Sequence, residues 1–219
     1  MAGQHLPRRR HNVTTTQTPR LSGVLVGSVD RLGPAADDFN HLGRYVAALE
    51  AFARDNCTAA YATTAVLDDA VYRLAVLDAE EIPSPETMNM SHARRVEADR
   101  VRALFAKLKA NTTRDRVGVN EHLVMCHYGR RVFVTTGGLL GLGLESVMEG
   151  DLVGVVPGCN NPLLLRRLPL KPIRLKKYNG GQGKMKIHCT LVGESFIQGI
   201  MDGEALEDEE RIHARFMIS

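Results

Sequence analysis

The chain has 219 residues, of which 44% are hydrophobic and 24% are charged, and this composition is typical of a folded protein with a core rather than of a disordered one. Its formal net charge of +3 is too small to indicate a nucleic-acid partner by itself. No segment approaches the roughly 18 apolar residues of a membrane span, and the basic N-terminus is not followed by the apolar segment of a secretory signal. We therefore expect a cytoplasmic protein that has no membrane partner.

The first half of the chain is predicted to be mainly helical. Residues 1–20 are polar and basic and predict a flexible arm. Within residues 21–118, a short extended segment, "LSGVLVGSVD", precedes three segments with helical periodicity. The apolar positions of the first are Phe39, Leu42, Val46, Leu49 and Ala53; those of the second are Val66, Ala70, Val71, Leu74 and Leu77. The third helix is predicted from about Glu86 to Lys109, with Val101, Leu104, Phe105 and Leu108 facing inward.

The pattern changes to short strands from about Val119. The segments "HLVMCHY", "RRVFVTT", "LVGVVP", "PLLLRRL" and "MKIHCTLV" are separated by glycine-rich turns, so residues 119–201 predict a small antiparallel β-meander or barrel. Residues 202–219 predict a C-terminal acidic helix or tail, with Asp202 as its N-cap. The expected fold class is α+β: an N-terminal helical region, a small β-domain and a short C-terminal helix.

The sequence predicts no phosphate-binding loop, no metal site and no catalytic nucleophile. The run "YNGGQGKMK" lacks the phosphate-loop spacing, because Tyr178 stands where the first glycine is needed. On a strand, His122 and Cys126 would face away from His127, so they do not form a local zinc site, although His188 and Cys189 could lie nearby. No motif places a base beside a nucleophile. We expect no catalytic residue, no metal and no cofactor, and therefore no enzyme.

Basic residues are concentrated between Asp151 and Glu194, where no acidic residue occurs. This basic stripe consists of Arg166, Arg167, Lys171, Arg174, Lys176, Lys177, Lys184 and Lys186. It could bind a polyanion such as nucleic acid, but Tyr178 is its only aromatic residue, and stacking on bases needs several. A solvated hairpin partly neutralised by the acidic residues from Glu204 to Glu210 is favoured, and nucleic-acid binding is the alternative.

A series of short motifs in the second half carries a resemblance to a known family. These are "RRVFVTT", "GLG", "GD", "PLLLRRL" and "LVGESFIQGIMDGEA". They resemble the C-terminal region of fungal heterokaryon-incompatibility proteins, although Leu144 replaces a proline, and Phe196 and Gln198 replace tyrosine and histidine. The positions that match the family signature, all expected to be structural, are Arg131, Phe133, Gly141, Gly143, Gly150, Asp151, Gly193, Glu194, Gly199, Met201, Asp202, Gly203 and Glu204.

The resemblance implies a role in fungal nonself recognition. Such proteins usually begin with an incompatibility domain, to which their cell-death activity is attributed, and there is no room for that domain ahead of Leu21. The resemblance therefore implies a truncated or stand-alone C-terminal portion of such a protein, which serves as a non-catalytic accessory or recognition module. Its expected partners are proteins of an incompatibility pathway.

Overall fold

The structure is a computed structural model that describes residues 19–36, 42–57, 60–78, 80–81, 93–94, 98–110, 119–169, 185–207 and 212–219. The helices in these ranges are α1 (Leu42–Asn56), α2 (Thr64–Ala75), α3 (Ala98–Lys109), α4 (Val119–His127) and α5 (Glu204–Glu207). The strands are β1 (Arg20–Ala35), β2 (Glu80–Glu81), β3 (Ala93–Arg94), β4 (Arg130–Thr135), β5 (Leu140–Leu144), β6 (Leu152–Val155), β7 (Leu163–Arg167), β8 (Met185–Glu194), β9 (Phe196–Ile197) and β10 (Ile212–Ile218).

Helices α1, α2 and α3 form a layer against one face of the sheet. Val46, Leu49 and Ala53 of α1 are buried, as their spacing predicts. Helix α2 begins after Thr63, whose hydroxyl accepts a hydrogen bond from the Val66 amide at 3.2 Å. Val66 itself is 48% exposed, so its predicted inward position is wrong. The same core contains Val101 and Phe105 of α3, and Val132, Val134, Leu140 and Leu142 of β4 and β5.

The predicted third helix does not include residues 93 and 94, and its predicted start at about Glu86 lies outside the described residues. Strand β3 pairs with β2 through Glu80 with Arg94 and Glu81 with Ala93, so residues 93 and 94 are extended where a helix was expected. The described part of α3 begins at Ala98. Phe39 and the predicted N-caps Asp37 and Asp38 lie outside the described residues.

Eight strands form one mixed sheet in the order β10-β8-β7-β6-β1-β4-β5-β9, and β10 also pairs with β1. Strands β1, β6, β7, β8 and β10 are therefore hydrogen-bonded in a ring. Five strands cannot alternate in direction around a closed ring, so one pair must be parallel. That pair is β8 with β10, where Ala214 pairs with Met185, and the expectation of a wholly antiparallel sheet is wrong at this position.

Strand β1 takes part in both halves of the sheet. Its first residues pair with β10, with Arg20 opposite Met217, and its central residues pair with β6. Its last residues pair with β4, with Ala35 opposite Arg131. Register shifts interrupt these ladders, and such bulges let a strand bend between two sheet segments. Apart from Arg20, which falls in the predicted flexible arm, this long strand lies in residues 21–118, the stretch predicted to be mainly helical.

The predicted strand "HLVMCHY" is in fact part of α4. Leu123, Cys126 and His127 are all buried, at the three- and four-residue spacing of a helix. The residues of this segment also have some strand propensity, so packing against α2 and β4 decides the conformation.

The C-terminal segment contains a strand where a helix was expected. Helix α5 covers only Glu204–Glu207, and Gly203, not the predicted Asp202, immediately precedes it. From Ile212 the chain is β10, in which Ala214 and Phe216 are fully buried at the two-residue spacing of a strand. Pairing with β1 on one side and β8 on the other stabilises the extended conformation.

The sheet has two apolar clusters besides the core beneath the helices. All five strands of the ring contribute to the first, which includes Leu25, Leu152, Leu165, Ile187 and Phe216. The second joins the opposite side of β6 and β7 to β1, β4 and β9, and it includes Val29, Phe133, Val153, Leu164 and Ile197. Alternating side chains of β6 and β7 therefore pack into different clusters.

Candidate functional site

The Gly150-Asp151 turn is attached to β1 by backbone hydrogen bonds. The Gly150 amide donates to the Val29 carbonyl at 2.9 Å, and the Val29 amide donates to the Asp151 carbonyl at 2.7 Å. Gly150 has φ +86°, a left-handed conformation that residues with a side chain rarely adopt. The turn therefore fixes the start of β6 beside β1.

The buried Asp151 carboxylate forms an ion pair with the partly exposed Arg166. Its side chain is 2% exposed, and its two oxygens accept hydrogen bonds at 2.8 Å from Nε and Nη2 of Arg166. The carboxylate also accepts from the Met148 amide, and Arg166 Nη2 donates to the Ser146 carbonyl, both at 2.8 Å. The Asp151 carboxylate raises the pKa of Arg166. Both charged groups therefore stabilise the turn at residues 145–151.

The structure describes only three residues of the predicted basic stripe. Arg166 is engaged by Asp151, whereas Arg167 and Lys186 are exposed on β7 and β8. Lys171, Arg174, Lys176, Lys177 and Lys184 lie outside the described residues. The internal pairing of Arg166 removes one cation from the surface proposed for nucleic acid.

Two signature glycines lie where strands and side chains approach closely. A Cβ atom on Gly143 would lie 2.5 Å from Cδ1 of Leu164, and one on Gly141 would overlap the Phe133 ring. Phe133 is fully buried. These glycines of β5 therefore make room for Leu164 of β7 and Phe133 of β4.

The polar groups of the C-terminal signature also have local partners. Glu194 accepts a hydrogen bond from Asn161 Nδ2 at 2.9 Å, and Glu204 accepts one from the Asp202 amide at 2.8 Å. The Met201 sulfur accepts from the Ile197 amide at 3.4 Å. Gly193 lies against Leu144, and Gly199 and Gly203 occupy turns with positive φ. The two carboxylates thus have separate partners.

Arg131 differs from the other signature residues. It is half-buried on β4, and its Nε atom is enclosed without a hydrogen-bond partner. Its position in the sequence motif gave no indication of this.

His127 lies in a hydrogen-bonded position that the sequence did not reveal. Its Nε2 lies 3.1 Å from the Ala75 carbonyl, which can only accept, so Nε2 carries the hydrogen and Nδ1 accepts from the Tyr45 hydroxyl. Burial lowers the pKa of His127 to about 4. The neutral ring joins α1, α2 and α4, and neither nitrogen remains open to a metal.

A second polar pair joins α1 and α3, and only its carboxylate is buried. Lys109 Nζ donates to Glu50 Oε2 at 2.7 Å, and the Glu50 side chain is 6% exposed. The other oxygen, Oε1, is enclosed without a hydrogen-bond partner. Helical spacing places residue 50 beside the buried face of α1, but nothing in the sequence identifies Lys109 as its partner.

The buried thiols are poorly suited to nucleophilic chemistry. Burial raises the pKa of Cys57 to about 12 and also raises the pKa of Cys189. Across the described ranges, no three His, Cys, Asp or Glu side chains are grouped so that they could hold a metal ion. The side chain of His122 is not among those described. None of the helices within the described ranges has the length and apolarity needed to cross a membrane.

Comparison with known proteins confirms the resemblance found in the sequence. Residues 93–218 match the family model of the Het-6 beta-barrel domain. The chain is also 32% identical over 108 residues to "Heterokaryon incompatibility protein 6, OR allele" of Neurospora crassa. That alignment covers 48% of this chain and 14% of the relative, so about half of the chain corresponds to a small part of the longer protein. No solved structure matches. The chain belongs to the Het-6 beta-barrel domain family.

Proposed function

We propose that the chain is an accessory or recognition module of a heterokaryon-incompatibility protein. In this proposal it contributes to fungal nonself recognition through protein partners and performs no catalysis of its own. The observation that carries the proposal is the family match over residues 93–218, together with a relative whose name assigns it to heterokaryon incompatibility. The matched segment runs from β3 to β10 and therefore includes most of the sheet.

The use of the polar groups within the fold supports a recognition role. Asp151 binds Arg166 and a backbone amide, Glu194 binds Asn161, and both ring nitrogens of His127 have protein partners. General acid-base catalysis requires a titratable group that can reach the substrate proton. These groups instead hold turns, strands and helices together, which favours a recognition role over catalysis in this proposal.

A chimera can test the recognition role. The segment of the Neurospora crassa relative that aligns with this chain would be replaced by the corresponding segment of this chain, and hyphal fusions with a panel of tester strains would be scored. We expect the chimera to change which testers are rejected while the strength of each rejection stays unchanged. The same chimera carrying Arg166→Met should lose the new specificity, because that variant removes the cation from the buried Asp151 carboxylate.

Two results would contradict this proposal. If the folded chimera rejects the same testers as the unmodified relative, the segment does not contribute to recognition. If the purified chain catalyses a hydrolytic reaction, such as the cleavage of a dinucleotide, at a rate that is proportional to its concentration and persists through further purification, the chain has catalytic activity of its own.

A further inference from the structure

Arg131 has an unsatisfied hydrogen-bond donor within the sheet. The residue is half-buried, and its Nε atom is enclosed without a partner. Among the described residues, none forms a hydrogen bond or an ion pair with this side chain. An enclosed N–H group without an acceptor destabilises a fold, so the position of Arg131 carries a cost that its own contacts do not offset.

The neighbours of Arg131 in the sheet are small. Arg131 pairs with Ala35 of β1 on one side and with Gly143 of β5 on the other. Paired residues of adjacent strands lie on the same face of a sheet, so neither neighbouring strand places a long side chain beside the arginine. Phe133, two residues further along β4, lies on the same face and is fully buried. Arg131 therefore shares a face of β4 with Phe133, a member of an apolar cluster, and away from water a charge-assisted hydrogen bond is stronger.

Arg166 shows how this fold satisfies an arginine of similar exposure. Its Nε and Nη2 atoms donate side by side to the two oxygens of Asp151. Arg131 offers the same pair of donors, but no carboxylate of the described residues accepts from them. Glu145 is close along the fold, because its amide donates to the Gly129 carbonyl, yet it forms no ion pair with Arg131.

We propose that Arg131 binds an oxyanion, either a carboxylate or a phosphate group, supplied by a ligand from outside the chain. Nε and one Nη group form the two parallel hydrogen bonds that an arginine offers to such groups. Because Nε is enclosed, this proposal requires the Arg131 side chain to move so that Nε can reach the ligand. The proposal goes beyond recognition of another protein, since a small anionic ligand would bind whether or not the chain acts in incompatibility.

Nuclear magnetic resonance of the arginine Nε–H groups tests this assignment. The resonance of Arg131 is identified as the one missing from the spectrum of Arg131→Lys, and the protein is titrated with sodium phosphate or sodium acetate at constant ionic strength. We expect the Arg131 Nε–H signal to shift and saturate with a dissociation constant of about 1 mM or lower for at least one anion. Saturation by phosphate alone identifies a phosphate ligand, and saturation by acetate identifies a carboxylate ligand.

Two variants separate binding from a structural role. Arg130→Lys, the matched control on the same strand, should leave the titration unchanged. Arg131→Met should melt at the same temperature as the unmodified chain or higher, and its melting temperature should not respond to either anion. The proposal is overturned if neither anion saturates the signal. It is also overturned if Arg131→Met lowers the melting temperature by as much as Arg166→Met does, because Arg131 would then be a structural residue.

Discussion

The Asp151–Arg166 pair should respond asymmetrically to the removal of its two members. Arg166→Met leaves a carboxylate that is 2% exposed without its cation, whereas Asp151→Ala leaves a guanidinium whose side chain is 37% exposed and can be hydrated. Breaking a buried pair costs about 3–5 kcal/mol, and we expect Arg166→Met to approach the lower end of that range. Asp151→Ala should lower the free energy of unfolding by only about 2 kcal/mol, because solvent screens the charge that remains on Arg166.

Urea denaturation followed by circular dichroism measures both values. The double variant should be less destabilised than the sum of the two single changes, because neither residue is then left alone. Arg167→Met is the matched control: Arg167 is exposed on the same strand, so its loss should change stability by less than about 0.5 kcal/mol. If the destabilisation of the double variant equals the sum of the two single changes, the pair does not hold the turn. The same conclusion follows if Arg166→Met is as stable as Arg167→Met.

Three further predictions concern the stability of the fold. Burial lowers the pKa of His127 to about 4 from its ordinary 6.5, so the unfolded chain binds more protons between these pH values. The free energy of unfolding should therefore fall by up to about 3 kcal/mol as the pH decreases from 6.5 to 4, and His127→Gln should lack this contribution in urea titrations at several pH values. Gly141→Ala should lower the free energy of unfolding by about 1–3 kcal/mol, because the added methyl group overlaps the Phe133 ring. The control Gly137→Ala should be neutral, because a Cβ atom there would lie 3.8 Å from its nearest neighbour. Equal urea midpoints for the two variants would contradict the close contact at Gly141. Phe216→Ala should lower the free energy of unfolding by about 3–5 kcal/mol, whereas Ile212→Ala, at a position 52% exposed on the same strand, should lower it far less. If the two variants lower the melting temperature equally, Phe216 is not part of a packed cluster inside the ring of strands.

Local periodicity was sufficient to predict most of the helical layer. Val46, Leu49 and Ala53 recur at helical spacing and are buried on α1. The side chains of such a face need only be apolar and correctly spaced, because several alternative neighbours can bury them. The pattern failed at the C-terminus, where Asp202 as an N-cap and the acidic residues that follow it suggested a helix. Pairing of β10 with two strands from distant parts of the chain stabilised the extended conformation instead.

The polar contacts depend on partners that no local pattern reveals. Arg166 was grouped with neighbouring basic residues, but its acceptor Asp151 lies in the preceding turn and reaches it only through the pairing of β6 with β7. His127 was considered beside His122 and Cys126, whereas its hydrogen-bond partners are Tyr45 and Ala75 on other helices. Sequence spacing can identify a ligand group within one element, but it cannot identify partners brought together by tertiary packing.

The ring of five strands also determines the order in which the chain can complete its fold. Arg20 pairs with Met217, so β1 cannot complete its pairing until β10, near the opposite end of the sequence, has been synthesised. During synthesis, β10 leaves the ribosome after every other strand of the ring, and until then the edges of β1 and β8 that it covers remain open. Contacts of such long sequence separation slow folding and prolong the exposure of strand edges. Chaperone dependence during translation is the expected consequence of closing the ring with its last strand.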